Sequence, residues 1–174
     1  EKEARRIFLS INQRLMKAMQ YERPRITQLH LSVFGFSRGA AEARAFCNWI
    51  QDICGGVIGE AKVNIRFLGL FDTVASVGVA DSSPIGRGFL HWAHNNLAIN
   101  DGESTVHYVA GHEILPSFPL STVRDGGSWP ANTREYVYPG THSDIGGGYG
   151  PGEQGKSLGG RSTLMSQITL NDMY

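Results

Sequence analysis

The sequence predicts an α/β fold, a mostly parallel sheet with flanking helices, on three observations. Residues 26–34 read as a short strand that runs into a glycine-flanked turn and then a run of small helix formers. Residues 63–71, VNIRFLGLF, are apolar along most of their length, as a strand covered on both faces must be. A third short strand, 134–138, leads out into a Gly-Thr-His-Ser-Asp segment.

Taken in order, residues 1–21 form an amphipathic helix, because Phe8, Ile11, Leu15 and Met19 recur at helical spacing between Lys and Arg. Pro24 stops it. Residues 38–53 form the helix after the first strand, and Gly55-Gly56 ends it. The Gly-, Ser- and Pro-rich stretch 75–87 reads as a loop, 89–99 as a short helix. Residues 106–115 fit either a strand or a helix, and the expectation is a helix. Prolines 116 and 119 and residues 125–132 form another loop, glycine dominates the fifteen residues after 144, and a helix begins at Leu164.

The first turn carries chemistry. Leu29, Leu31 and Val33 alternate with polar neighbours up to Phe34; Gly35-Phe36-Ser37-Arg38-Gly39 follows, then Ala40-Ala41-Glu42-Ala43. Strand, G-x-S-x-G, helix is a nucleophile elbow, whose tightness asks for glycine on both flanks and which holds the serine hydroxyl out at the strand's end. With Ser37 at a helix N-terminus, the Arg38 backbone N–H and the positive end of the helix dipole face any oxyanion that forms. In a chain with 22 glycines the five-residue pattern alone says little, and the strand–turn–helix context is what counts.

Composition sets the outer limits. At 174 residues one domain with one sizeable core is the default, and 41% hydrophobic with 18% charged residues describes a globular chain. Sixteen basic against sixteen acidic side chains leave no footprint for nucleic acid and no polybasic membrane anchor. No apolar run approaches a membrane span. Cys47 and Cys54, seven positions apart, would stand about 10 Å apart on one helix, out of disulfide reach, so two buried free thiols and a reducing compartment are expected. Three strands are few for a covered sheet, and a single helix precedes the elbow where several strands do in α/β hydrolases. Residues 1–174 are therefore expected to be one catalytic domain in part, its upstream strands lying elsewhere.

A serine nucleophile needs a histidine base and a carboxylate that fixes its tautomer, in the α/β-hydrolase order Ser, acid, His. Asp72, Asp81, Asp101, Asp125 and Asp144 follow Ser37, as do His91, His94, His107, His112 and His142. Position favours Asp72, at the end of the best strand, and His142, in a glycine-flanked loop past the third. Asp144, two residues beyond His142, is the alternative acid or an Asx-turn residue. His107 and His112 are expected to pack or bond within their own helix.

Residues 150–157, GPGEQGKS, match the phosphate-binding pattern G-x-x-x-x-G-K-[ST] in full. That loop works only between a strand and a helix. Here a glycine run precedes it and Gly159-Gly160 follows, so a surface loop is the better reading.

GFSRGA, FLGLFDTVAS, HYVAGHEILPSFPL and YPGTHSDIGGGYG, in that order, resemble the α/β-hydrolase domain of type VI secretion phospholipase effectors, from about residue 29 to 174. The resemblance implies an antibacterial serine esterase, a phospholipase A1 or A2, that cleaves an acyl ester of membrane glycerophospholipids without metal or cofactor. It implies Ser37 as nucleophile, Asp72 as acid and His142 as base. It also implies a secretion spike protein and an immunity protein as partners, synthesis in the bacterial cytoplasm, and action in the periplasm or at the membrane of a target cell. The family's opening strand, with an Asp-Gly-Thr turn near the oxyanion hole, has no counterpart here, which leaves the second oxyanion donor unassigned. A soluble-ester or thioester hydrolase, and a non-catalytic module that docks on a spike or immunity partner, are the competing readings.

Overall fold

The computed structural model describes residues 2–19, 26–75, 97–100, 103–114 and 118–174. Helix α1 spans Lys2–Met19, strand β1 Gln28–Phe36 and helix α2 Arg38–Asp52. A two-residue strand β2, Val57–Ile58, precedes the long strand β3, Ala61–Phe71. Strands β4, Ser104–Ala110, and β5, Thr133–Tyr138, lead to the short helix α3, His142–Gly146, and helix α4, Ser166–Met173.

The sheet order is β1-β3-β4-β5, all parallel, with β2 turned back antiparallel on the start of β3. Beside β1, Leu31 faces Ile65 but Ser32 faces Phe67, so Arg66 is an extra residue that bulges β3. Alternation along the strands splits the apolar side chains between two faces. Ala40, Ala43, Cys47 and Ile50 of α2 pack on Val63, Ile65, Leu68 and Leu70 of β3. On the other face Tyr108, Ile145 and Met173 gather with Phe67 and Phe71. A Cβ at Gly69 would stand 2.5 Å from the Phe34 ring, so the absent side chain is what lets Phe34 lie over β3 against Phe67.

Helix α1 touches this core through Phe8, which packs against Phe46 and edge-on to Trp49, while Ile11 and Leu15 on the expected apolar stripe stay exposed. Helix α2 ends as foreseen: Gly55 and Gly56 adopt φ of 61° and 72°, and their N–H groups close on Gln51 and Ile50 carbonyls. Cys47 is buried in α2, and burial pushes its thiol up to about 12; Cys54 lies past the helix end and is half-buried, not buried as expected.

Where a helix is expected over 106–115, residues 106–110 belong to strand β4, 111–114 are irregular and 115 lies outside the described residues. The strand sits between β3 and β5, with Leu70 opposite His107 and His107 opposite Glu135. Thr105, His107, Tyr108 and Val109 are all buried, so both faces are covered and no period distinguishes strand from helix locally. The expected helix over 89–99 lies outside the described residues except for 97–99, which are irregular, and the expected loop 75–87 lies almost wholly outside them.

Candidate active site

Three strand ends on one edge of the sheet bring the site together. Ser37 follows β1 with φ 58° and ψ −124°, a conformation a non-glycine residue adopts only where its surroundings impose it. Its N–H donates to the Phe71 carbonyl at 2.9 Å, and its own carbonyl accepts the Ala40 and Val74 N–H groups at 3.0 and 3.2 Å. The elbow is tight on one side. A Cβ at Gly35 would stand 2.2 Å from the Gly39 carbonyl oxygen, whereas one at Gly39 meets nothing within 4 Å, so Gly35 alone of the expected pair is required by contact. Ser37 caps α2 without using its side chain, which leaves Oγ for other partners. Arg38 opens α2, so its N–H is among the first-turn donors that have no acceptor within the helix.

Oγ of Ser37 is 2.7 Å from Nε2 of His142, and Nδ1 of His142 is 2.6 Å from Oδ2 of Asp72. Asp72 and His142 are 4% and 6% exposed, while Ser37 is half-buried. His142 stands not in a loop but at the first position of α3, capped by Thr141. Its backbone N–H donates to Glu113 Oε2 at 3.0 Å. Its ring stacks on Phe118 and contacts a tilted Phe36, each with centroids at 4.6 Å. Asp72 also has positive φ, 43°, and its Oδ1 accepts the Ala110 N–H at 2.9 Å.

Asp144 is engaged elsewhere. Its Oδ2 accepts the Thr141 N–H and hydroxyl, both at 2.9 Å, and Oδ1 takes Lys156 Nζ at 3.2 Å. Burial pushes its carboxyl up, but these bonds outweigh burial and hold it below the ordinary value. Lys156 of the phosphate-loop look-alike therefore serves the cap of α3; no described strand leads into residues 150–157, and Gly152 turns left-handed there. His107 and His112 do not bond within a helix of their own. His107 reaches Thr73 and Glu135, and His112 Nδ1 accepts the Gly140 N–H at 2.9 Å. Asp125 closes a small turn with Ser128, and Asp81, Asp101, His91 and His94 lie outside the described residues. Among the described residues no three His, Cys, Asp or Glu side chains are grouped to hold a metal ion.

The sequence reading missed Phe36, Phe118, Glu113 and the Ala110 N–H. Phe36 lay inside the quoted motif with no signal of its own, and nothing local marks Glu113 or Phe118.

A family model of the catalytic domain of Tle1-like phospholipase effectors of the type VI secretion system matches residues 56–174. The chain belongs to this family. It is similar to an uncharacterized protein from Pseudomonas aeruginosa of known structure, 39% identical, over 100% of this chain and 26% of that one, with a TM-score of 0.74. It is also similar to a Tle1 effector solved bound to the VgrG spike of the type 6 secretion system, 34% identical over 84% of this chain and 30% of that one, with a TM-score of 0.55. The chain thus spans under a third of either relative's length. No curated protein matches the sequence.

The matched part of this Tle1-like domain includes Asp72 and His142 and begins beyond Ser37; the likeness to the Pseudomonas aeruginosa protein extends over Ser37 as well. A hydroxyl bonded to an imidazole, itself bonded to a buried carboxylate, is suited to nucleophilic attack on an acyl carbon.

Proposed function

We propose that this domain is an A-type phospholipase that cleaves an acyl ester of membrane glycerophospholipids through Ser37, His142 and Asp72. The observation that carries the reading is the pair of short bonds in series, 2.7 Å and 2.6 Å, between residues up to 105 positions apart. A spike- or immunity-docking module without activity leaves that pair, and the imposed backbone of Ser37, without a use.

In the first step His142 Nε2 takes the Ser37 proton as Oγ attacks the ester carbonyl. The oxyanion is received by the Arg38 N–H at the first turn of α2. His142 then protonates the departing lysolipid oxygen, and the acyl group stays on Ser37. Water, deprotonated by His142, releases the fatty acid and restores the serine. Asp72 remains ionised and holds the proton of His142 on Nδ1, which keeps Nε2 free to accept.

By the same family resemblance the enzyme acts as an antibacterial effector, made in the bacterial cytoplasm and delivered to the periplasm or membrane of a target cell. The relative solved on VgrG supports a spike protein as delivery partner; a cognate immunity protein belongs to the same proposal. No helix among the described residues is long and apolar enough to cross a membrane.

The test is Ser37→Ala in the intact protein, with fatty-acid release from phospholipid vesicles as readout. Hydrolysis should fall by several orders of magnitude while the circular dichroism spectrum stays unchanged. A fluorophosphonate probe should label the Ser37 peptide and spare the variant. Hydrolysis that survives the substitution refutes the assignment.

A further inference from the structure

We propose that His107 is a positioning residue for this reaction, holding the turn that carries Asp72 by accepting the Thr73 N–H at Nε2 while donating from Nδ1 to Glu135. The inference rests on the reading of Ser37, His142 and Asp72 as the reacting group.

Asp72 needs holding. Its φ is positive, 43°, a region that costs most residues energy although aspartate tolerates it better than most, and the carboxylate must serve the Ala110 N–H and His142 at once. Among the described residues, β4 supplies three hydrogen bonds that anchor the 72–73 turn. The Asp72 N–H donates to the Tyr108 carbonyl at 2.7 Å, the Ala110 N–H meets Asp72 Oδ1, and His107 Nε2 accepts the Thr73 N–H at 3.0 Å. The Thr73 hydroxyl stands 3.1 Å from the same nitrogen. On the far side of Thr73, its carbonyl accepts the Ser121 N–H at 2.8 Å.

The tautomer follows from these bonds. A backbone N–H points at Nε2, so that nitrogen carries no proton, and the ring proton sits on Nδ1, 2.8 Å from Glu135 Oε2. The Glu135 carboxylate also accepts Thr122 Oγ1 at 3.0 Å and the Val123 N–H at 3.2 Å. The charged groups facing the pair are Glu135 from β5, Arg44 from α2, whose guanidinium donates to the Leu97, Ser121 and Thr122 carbonyls, and Asp72 itself across Thr73. A chain of bonds thus runs Glu135, His107, Thr73, Asp72, His142, Ser37. His107 is fully buried, so an apolar side chain in its place would leave the Thr73 N–H without an acceptor and the turn free to shift. Displacement of Asp72 weakens the electrostatic hold of its carboxylate on a protonated His142 ring.

The experiment compares His107→Leu and His107→Gln with Ser37→Ala in the intact protein, on phospholipid vesicles. A glutamine oxygen reaches the place of Nε2 and accepts the Thr73 N–H; leucine does not. His107→Leu should lower kcat about tenfold or more with KM unchanged and move the acid limb of kcat/KM to lower pH, and His107→Gln should restore most of kcat. Wild-type kcat and pH profile in a folded His107→Leu overturn the proposal, as do equal losses in both variants that track only the fraction folded. Should the leucine variant fail to fold, His107→Asn decides, since its amide keeps a donor toward Glu135 but falls short of the Thr73 N–H: a lowered kcat with unchanged KM and a shifted acid limb supports the role, and wild-type behaviour overturns it. Hydrolysis that survives Ser37→Ala defeats the parent reading, whereas an inactive Ser37→Ala beside a wild-type-like His107→Leu defeats this inference alone.

Discussion

The imidazole of His142 lies flat against Phe118, their centroids 4.6 Å apart and planes 12° from parallel, and Phe36, tilted by 36°, approaches it at the same separation. Stacking on Phe118 resists tilting of the imidazole out of its own plane, the plane that contains its bonds to Ser37 and Asp72. Phe118→Ala removes that support. Aromatic contacts of this kind are worth about 0.5–1.5 kcal/mol, so kcat should fall roughly three- to tenfold, and Phe118→Leu should fall less. Steady-state hydrolysis of a short-chain ester measures it. An unchanged kcat in Phe118→Ala sinks the idea that this face orients the base.

Asp72→Asn keeps shape and changes one proton. The new amide donates to Nδ1 of His142, drives the ring proton onto Nε2, and so leaves Ser37 without an acceptor. In serine proteases that exchange costs about four orders of magnitude in kcat, and a comparable loss is expected here with the thermal midpoint nearly unchanged. Single-turnover acylation is the measurement, and a loss under tenfold removes Asp72 from the reacting group.

The two glycines of the elbow should part company. A Cβ at Gly35 would collide with the Gly39 carbonyl at 2.2 Å, backbone that cannot yield without moving the turn, so Gly35→Ala should destabilise by at least about 1–3 kcal/mol and abolish labelling of Ser37. Gly39 lies in the first turn of α2 with open space around its Cβ, and Gly39→Ala should be neutral or stabilise by up to about 1 kcal/mol. Urea denaturation of the pair is decisive, since equal costs would contradict the asymmetry.

Asp144 links pH to the helix that bears His142. Burial alone would raise its carboxyl, but Thr141 and Lys156 hold it below the ordinary 3.8. A depressed folded value means the carboxylate's contribution is fully present above about pH 4 and is lost as pH falls through the lower folded value. Asp144→Ala should therefore cost about 1 kcal/mol at pH 7, the size of a helix cap, with the gap to wild type closing as pH falls below 3.8. A gap of constant size across that range would mean that the carboxylate charge contributes nothing.

Much of the site could be read without coordinates because the chemistry limits which residues can serve. Ser37 sits in a pattern whose glycine is required by contact, and Asp72 and His142 each follow a strand that the residues themselves reveal. What could not be read is whatever depends on who lies alongside. Strand β4 looks as much like a helix as a strand until β3 and β5 flank it, and with that misreading went the partners of His107 and His112. His142 seemed a loop residue because the cap that makes α3 needs Thr141 and Asp144 folded onto each other and Lys156 brought from twelve positions on.

Local order alone determined that a strand, a sharp bend and a helix present Ser37, since steric limits on backbone angles act between near neighbours. Packing alone decided that an imidazole 105 positions away meets it, held against two phenyl rings. A ring's orientation is set by the surfaces it packs against, and those surfaces exist only once the sheet has closed.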